Sequence, residues 1–167
     1  MKTKTITQGA LVVALIMVFF LIFKGVTNIF NALLVPLSLY LVAIGKAKRD
    51  IFSIYLFFLV MCAIFFSIQI IFAIFYCGIA FLLAQLLAKK TYPLLAVISL
   101  AITTTISFGL AISLTDFFFL TEMSKIILRV INNNMITYSL LLLAEGSLVA
   151  SLLYLTAKIA RKRLYRV

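Results

Sequence analysis

Among side chains able to do chemistry, one carboxyl group stands out by its surroundings. Glu145 lies about nine residues into an apolar run, within Leu142–Leu143–Ala144–Glu145–Gly146–Ser147. A carboxylate at that depth in a bilayer is costly and ordinarily faces a cavity or a partner. There it would hold a ligand amine or hydroxyl, relay a proton, or pair with another subunit; its plainer role is a protonated side chain hydrogen-bonded to a neighbouring helix. The remaining inventory is thin. The chain has no histidine, so both the usual general base and the commonest metal ligand are missing. No metal-ligand spacing, phosphate loop, Ser/His/Asp set or carboxylate pair occurs. Catalysis would have to rest on Glu145, Asp116 or Glu122, so a protein that is not an enzyme and carries neither cofactor nor metal is expected. Cys62 and Cys77 both sit in apolar runs, as small buried hydrophobes do.

Composition explains why so little polar chemistry is available. The 167 residues are 66% hydrophobic and 11% charged, far from the roughly 25% charge of a soluble domain. Too few charges exist to cover a globule of this size, so the lipid bilayer must be part of the solvent. The formal net charge of +11 does not point to nucleic acid, because the basic residues stand between apolar runs and form no face of a soluble scaffold. The first apolar run is too long for a signal-peptide core and no small-residue cleavage site follows it, so it reads as a retained span.

Six apolar stretches can be cut from the chain, at about Ile6–Phe23, Ile29–Gly45, Ile51–Phe66, Ile68–Ala88, Pro93–Leu114 and Ile136–Ala157. The fold class expected is an all-α integral membrane protein, a single six-helix bundle. Ile51–Ala88 is 38 residues without a charge or a proline, about 57 Å of helix against a hydrocarbon thickness of about 30 Å. A tight turn near Ser67–Gln69, the polar pair in mid-run, divides it. Charge asymmetry favours the same division, since Lys and Arg accumulate in cytoplasmic loops. With six spans and the N-terminus inside, the inner side holds twelve basic residues: Lys2, Lys4, Lys46, Lys48, Arg49, Lys89, Lys90, Lys158, Arg161, Lys162, Arg163 and Arg166. The outer side holds three, Lys24, Lys125 and Arg129; a single crossing by Ile51–Ala88 would give seven against eight. Both termini are therefore expected in the cytoplasm.

Between the last two spans, Leu120, Met123, Ile127 and Val130 recur at helical spacing while Glu122, Lys125 and Arg129 fall on another face. An amphipathic helix at about residues 117–131 is expected on the outer surface, followed by a turn at Asn132–Asn134. Pro93 opens the fifth span, where a first-turn proline costs no hydrogen bond, and Pro36 should kink the second.

Lys24, at the outer end of the first span, leads into a short loop that includes Asn28. With Lys125 and Arg129 it would draw an anionic group to the outer face, or simply meet lipid headgroups. Uncharged polar groups within spans, among them Asn31, Gln69, Tyr76, Thr103, Thr104, Thr105, Ser107, Tyr138 and Ser139, are read as hydrogen-bond partners between helices. Tyr76, Tyr138 and Glu145 form a pocket only if their helices are neighbours. Small residues recur four apart in Ala10/Ala14 and in Gly146/Ala150, a spacing that lets helices approach closely.

The opening Lys2–Thr3–Lys4, followed by Thr7–Gln8–Gly9–Ala10–Leu11–Val12–Val13–Ala14–Leu15, resembles the start of a substrate-binding (S) component of an energy-coupling-factor transporter. Those proteins are six-span bundles of this length whose first helix carries an Ala-x-x-x-Ala motif, matched by Ala10 and Ala14. The resemblance implies an ABC-type importer of a vitamin-like solute in a bacterial plasma membrane. It implies docking through Ala10 and Ala14 onto a membrane coupling subunit driven by cytoplasmic ATPase subunits. It also implies a small-molecule cavity toward the outside, near Lys24, Asn28, Tyr76, Tyr138 and Glu145. The loop after the first span is shorter than the lid of many vitamin binders, and their tryptophan and histidine ligands are missing. Two further readings stay open: a non-transporting membrane scaffold of the cell envelope, similar to the rod-shape protein family in size and span number, and a proton-coupled carrier using Glu145 as its relay.

Overall fold

The computed structural model describes residues 3–23, 29–89 and 91–164. Within them the chain is helical: α1 (Thr3–Ile22), α2 (Ile29–Ala43), α3 (Lys48–Phe65), α4 (Ile70–Ala88), α5 (Pro93–Phe119), α6 (Met123–Val130) and α7 (Met135–Leu164). Three helical stretches, Ser67–Ala88, Pro93–Phe119 and Met135–Arg163, are long and apolar enough to cross a membrane, and Ile6–Ile22 and Ile29–Ala43 are shorter apolar helices. α3 differs because Lys48, Arg49 and Asp50 occupy its first turn. Large apolar side chains point outward all round the bundle, Leu11, Val18, Phe52, Ile64, Ile74, Ile102, Leu143 and Leu155 among them. A surface this apolar suits lipid and not water.

The charge-free stretch is broken at its polar pair. Phe66 leaves helical geometry at φ −140° and ψ 57°, and Ser67–Gln69 forms a single 3-10 turn into α4. α3 and α4 then lie side by side. All but the short α6 alternate in direction. At one end, Lys46 donates to Gln8 at 2.8 Å, Arg161 donates to the carbonyl of Leu87, and Pro93 shares a cleft with Tyr154 and Lys158. That end gathers the beginnings of α1, α3 and α5 with the last turns of α2, α4 and α7. At the other end, Phe20 of α1 meets Phe66 with ring centres 5.5 Å apart, and α6 lies against α5 and α7.

The shortest of the bundle helices, α2, is its centre, packed on α1, α4 and α7. Its fifteen residues span about 23 Å, and every turn contributes to the core: Asn31 and Ala32, Val35 and Pro36, Leu39 and Tyr40, Val42 and Ala43. The helix runs on through Pro36, which is buried in its middle. Several hydroxyls, Thr104 and Ser139 among those read as bridges between helices, bond within their own helix. Thr104 donates to Leu100 at 2.6 Å, Thr115 to Ala111 at 2.7 Å and Ser139 to Met135 at 3.0 Å. A hydroxyl in an apolar helix meets its need most cheaply at the carbonyl one turn back.

α5 and α7 share the most extensive helix contact and run antiparallel. A Cβ on Gly146 would lie 2.9 Å from the backbone nitrogen of Thr105 and 3.0 Å from its Cα, and one on Gly109 would touch Leu142 at 3.6 Å. Gly146 is therefore required by a backbone approach, whereas nothing stands within 4 Å of a Cβ on Gly78. Gly146→Val is expected to destabilise the bundle by about 1–3 kcal/mol. Gly78→Ala should leave it unchanged or gain about 0.5–1 kcal/mol. Thermal unfolding of both variants in detergent, followed by circular dichroism, checks the difference.

Candidate functional site

At the end of the bundle opposite Lys46 and Arg161, α2, α4, α5 and α7 do not close on one another. They leave a cavity of about 790 Å³ walled by Ile29 of α2, Phe72 of α4, Phe108 and Ile112 of α5, and Leu141, Ala144, Glu145 and Leu148 of α7, with Ile126 and Ile127 of α6 completing it. This volume falls within the roughly 300–1,000 Å³ of small-ligand sites. Among the described residues Glu145 is the only charged one in the wall, and it stands beside Gly146, where α7 is pinned to α5.

α6 reaches the cavity through an unusual tether. α5 runs five residues past the expected end of its span, to Phe119, and turns on Leu120 in the left-handed region at φ 51°. A leucine seldom adopts that conformation, and surrounding structure must hold it there. Asp116 supplies the hold. One of its oxygens accepts from the Thr121 hydroxyl at 2.6 Å and the Met123 amide at 2.8 Å; the other accepts from the Ser124 amide at 2.9 Å and the Ser124 hydroxyl at 2.5 Å. Asp116 thus caps the first turn of α6 from the preceding helix, where a negative charge also meets the positive end of the helix dipole.

α6 begins at Met123, later than the expected start near 117, because α5 takes up the intervening residues. Met123 and Ile127 pack against the core, while Leu120 and Val130, expected on the same inward face, are exposed. Glu122 and Lys125 pair at 2.9 Å on the outside, and that partner holds the Glu122 carboxyl below the ordinary range. An exposed pair of this kind adds little stability. Asn132 and Asn133 take left-handed φ values of 55° and 56°, a conformation asparagine tolerates. Asn134 then caps α7 by accepting from the amides of Ile136 and Thr137 at 2.9 and 3.2 Å.

Of the five candidate ligand-binding residues, the structure puts Glu145 in the cavity wall. Tyr76 and Tyr138 do not line the cavity. Tyr76 is fully buried one turn along α4 from Phe72, and its hydroxyl has no partner; Tyr138 is half-buried on α7. Lys24 and Asn28 lie outside the described residues. Asn31, almost wholly buried near the outer end of α2, also has no hydrogen-bond partner for either amide atom. The apolar walls and the Asp116 tether were not apparent from sequence, since a wall of Phe, Ile and Leu carries no motif and Asp116 stood in what read as a connecting segment. No group of three or more His, Cys, Asp or Glu able to hold a metal ion occurs among the described residues. Ala10 and Ala14 are exposed on α1, while Val13, Ile16 and Phe20 face the core. Compared with protein-family models, curated proteins and solved structures, the chain finds no match.

Asp116→Ala is expected to weaken α6 by about 0.5–2 kcal/mol, as loss of a helix cap does. Hydrogen exchange at the Met123 and Ser124 amides checks this, rising in the variant.

Proposed function

We propose that the chain is a six-span protein of the plasma membrane, with both termini in the cytoplasm, that captures a small solute from outside in the cavity beneath α6. In this reading it serves as the substrate-capture subunit of an energy-coupling-factor type importer. Ala10 and Ala14 form the surface on which a membrane coupling subunit, driven by cytoplasmic ATPases, docks. The observation that carries the reading is a ligand-sized cavity with one carboxylate in an apolar wall, roofed by a tethered helix. Its position supports capture from outside, because the cavity lies at the end opposite Lys46, Lys48, Arg49, Lys158, Arg161, Lys162 and Arg163, and basic residues favour the cytoplasmic side. The exposure of Ala10 and Ala14 supports docking, since small side chains that pack on no described helix leave the backbone open to close approach.

A second reading, a non-transporting scaffold of the cell envelope, draws on the scarcity of polar groups in the cavity wall. The two readings separate on what the tagged protein carries when purified from membranes. For capture, native mass spectrometry finds a bound solute, and the complex contains an ATPase. Glu145→Gln should lower solute occupancy by about tenfold or more while keeping the complex, and Ala10→Trp or Ala14→Trp should break the complex while keeping the solute. Normal assembly of both tryptophan variants, or a protein that carries no solute, would sink the importer reading.

A further inference from the structure

We infer that the cavity beneath α6 takes an organic cation: a protonated amine carried on an apolar, preferably aromatic, body. The inference rests on the capture reading and names the class of solute. The wall holds one formal charge, Glu145, among Ile29, Phe72, Phe108, Ile112, Leu141 and Leu148, and no basic side chain among the described residues lines it. The nearest cations in sequence to the wall residues of α6 are committed elsewhere. Lys125 donates to Glu122 at 2.9 Å, and Arg129 is exposed. A carboxyl group among apolar side chains is ionised at low cost only beside an opposing charge, and an ammonium occupant brings one.

Other solute classes fit the same wall poorly. An anion would meet Glu145 head-on. A polyhydroxylated solute would leave most of its hydroxyls unpaired against aliphatic and aromatic groups. A bare metal ion needs several oxygen, nitrogen or sulfur ligands, and no group of three His, Cys, Asp or Glu exists among the described residues. A neutral apolar molecule would satisfy the walls and strand the carboxylate. An ammonium on an apolar body satisfies both, with a charge-assisted hydrogen bond to Glu145 and two phenyl rings, Phe72 and Phe108, whose faces attract cations.

The probes are phenethylamine, phenethyl alcohol and hydrocinnamate, which share a phenyl body and differ in charge. Equilibrium dialysis against the full chain in detergent at neutral pH should show phenethylamine binding about tenfold or more tighter than either analogue. Glu145→Gln should reduce that preference to about twofold or less, and Ala144→Trp, which fills the cavity, should abolish binding of every probe. Circular dichroism and thermal unfolding establish that both variants are folded. Equal or tighter binding of phenethyl alcohol or hydrocinnamate by the wild type overturns the amine assignment and leaves capture standing. A folded Glu145→Gln that keeps the preference for phenethylamine overturns it as well. If no probe binds, the amine class is overturned, and capture is then decided by whether the purified protein carries a solute. An ammonium also reaches the site on a lipid headgroup, so the dialysis is repeated in nanodiscs with and without phosphatidylethanolamine. Competition by that lipid assigns the amine to the bilayer, and indifference assigns it to water; either supports an ammonium ligand.

Discussion

The close crossing of α5 and α7 at Thr105 and Gly146 sets the geometry on which the outer half of the protein depends. In lipid, helices gain nothing from hiding apolar side chains, since acyl chains are just as apolar, so association rests on close packing. A glycine that brings one backbone to within about 3 Å of where the other would have its Cβ supplies that packing. Because Glu145 is the preceding residue, the crossing also decides where the carboxylate stands. It holds Glu145 against the cavity, whose wall both helices share beneath α6. Asp116, at the far end of α5, then fastens α6 across that opening. Packing, the charged group and the roof thus come from one pair of helices and the turn that joins them.

The interior below the cavity is unusual in leaving polar groups unpaired. Asn31 and Tyr76 lie on α2 and α4, which pack together, and each is almost wholly shielded with no hydrogen-bond partner for its side chain. Such groups cost about 1–3 kcal/mol each unless something meets them. Thr104 and Thr115 show the cheaper arrangement, turned back onto their own helices. The Tyr76 phenol stands too far from the backbone of the preceding turn for that solution, and the Asn31 amide does not take it. Their presence near the end of the bundle that holds the cavity gives that end a latent polarity the wall residues do not show.

Helix number and order were legible from the sequence because they follow from period, length and charge. The turn at Ser67–Gln69 was legible because a charge-free run of that length exceeds the thickness of a bilayer. The asparagine turn was legible because three consecutive asparagines suit positive φ. Glu145 was legible as the informative carboxyl because a lone charge in an apolar helix demands a reason. The end of α5 was not. Thr115 and Asp116 read as polar enough to leave the helix, but Thr115 satisfies itself at the Ala111 carbonyl and Asp116 works for α6. The boundary moved outward by five residues and shortened α6 accordingly. Lys24 and Asn28 lie outside the described residues.

The two small-residue pairs show where sequence patterns stop being informative. Ala10/Ala14 and Gly146/Ala150 have the same spacing and equally apolar neighbours, yet Gly146 and Ala150 are buried against other helices of the bundle while Ala10 and Ala14 face outward. What separates them is which faces of α1 and α7 carry the larger core side chains. On α1, Val13, Ile16 and Phe20 occupy the inward face and leave the alanines opposite. Exposure to lipid costs an alanine almost nothing, so the free face stores no strain and needs no partner for stability. It offers instead a smooth track along which another helix can approach, at the end of the molecule away from the cavity. Ligand contact and subunit docking would then sit on different helices, joined through α2, which packs against both α1 and α7. The most direct route for a signal of occupancy from Glu145 to Ala10 is through α2, which among the described residues packs on both α1 and α7 and carries both Pro36 and the unpaired Asn31.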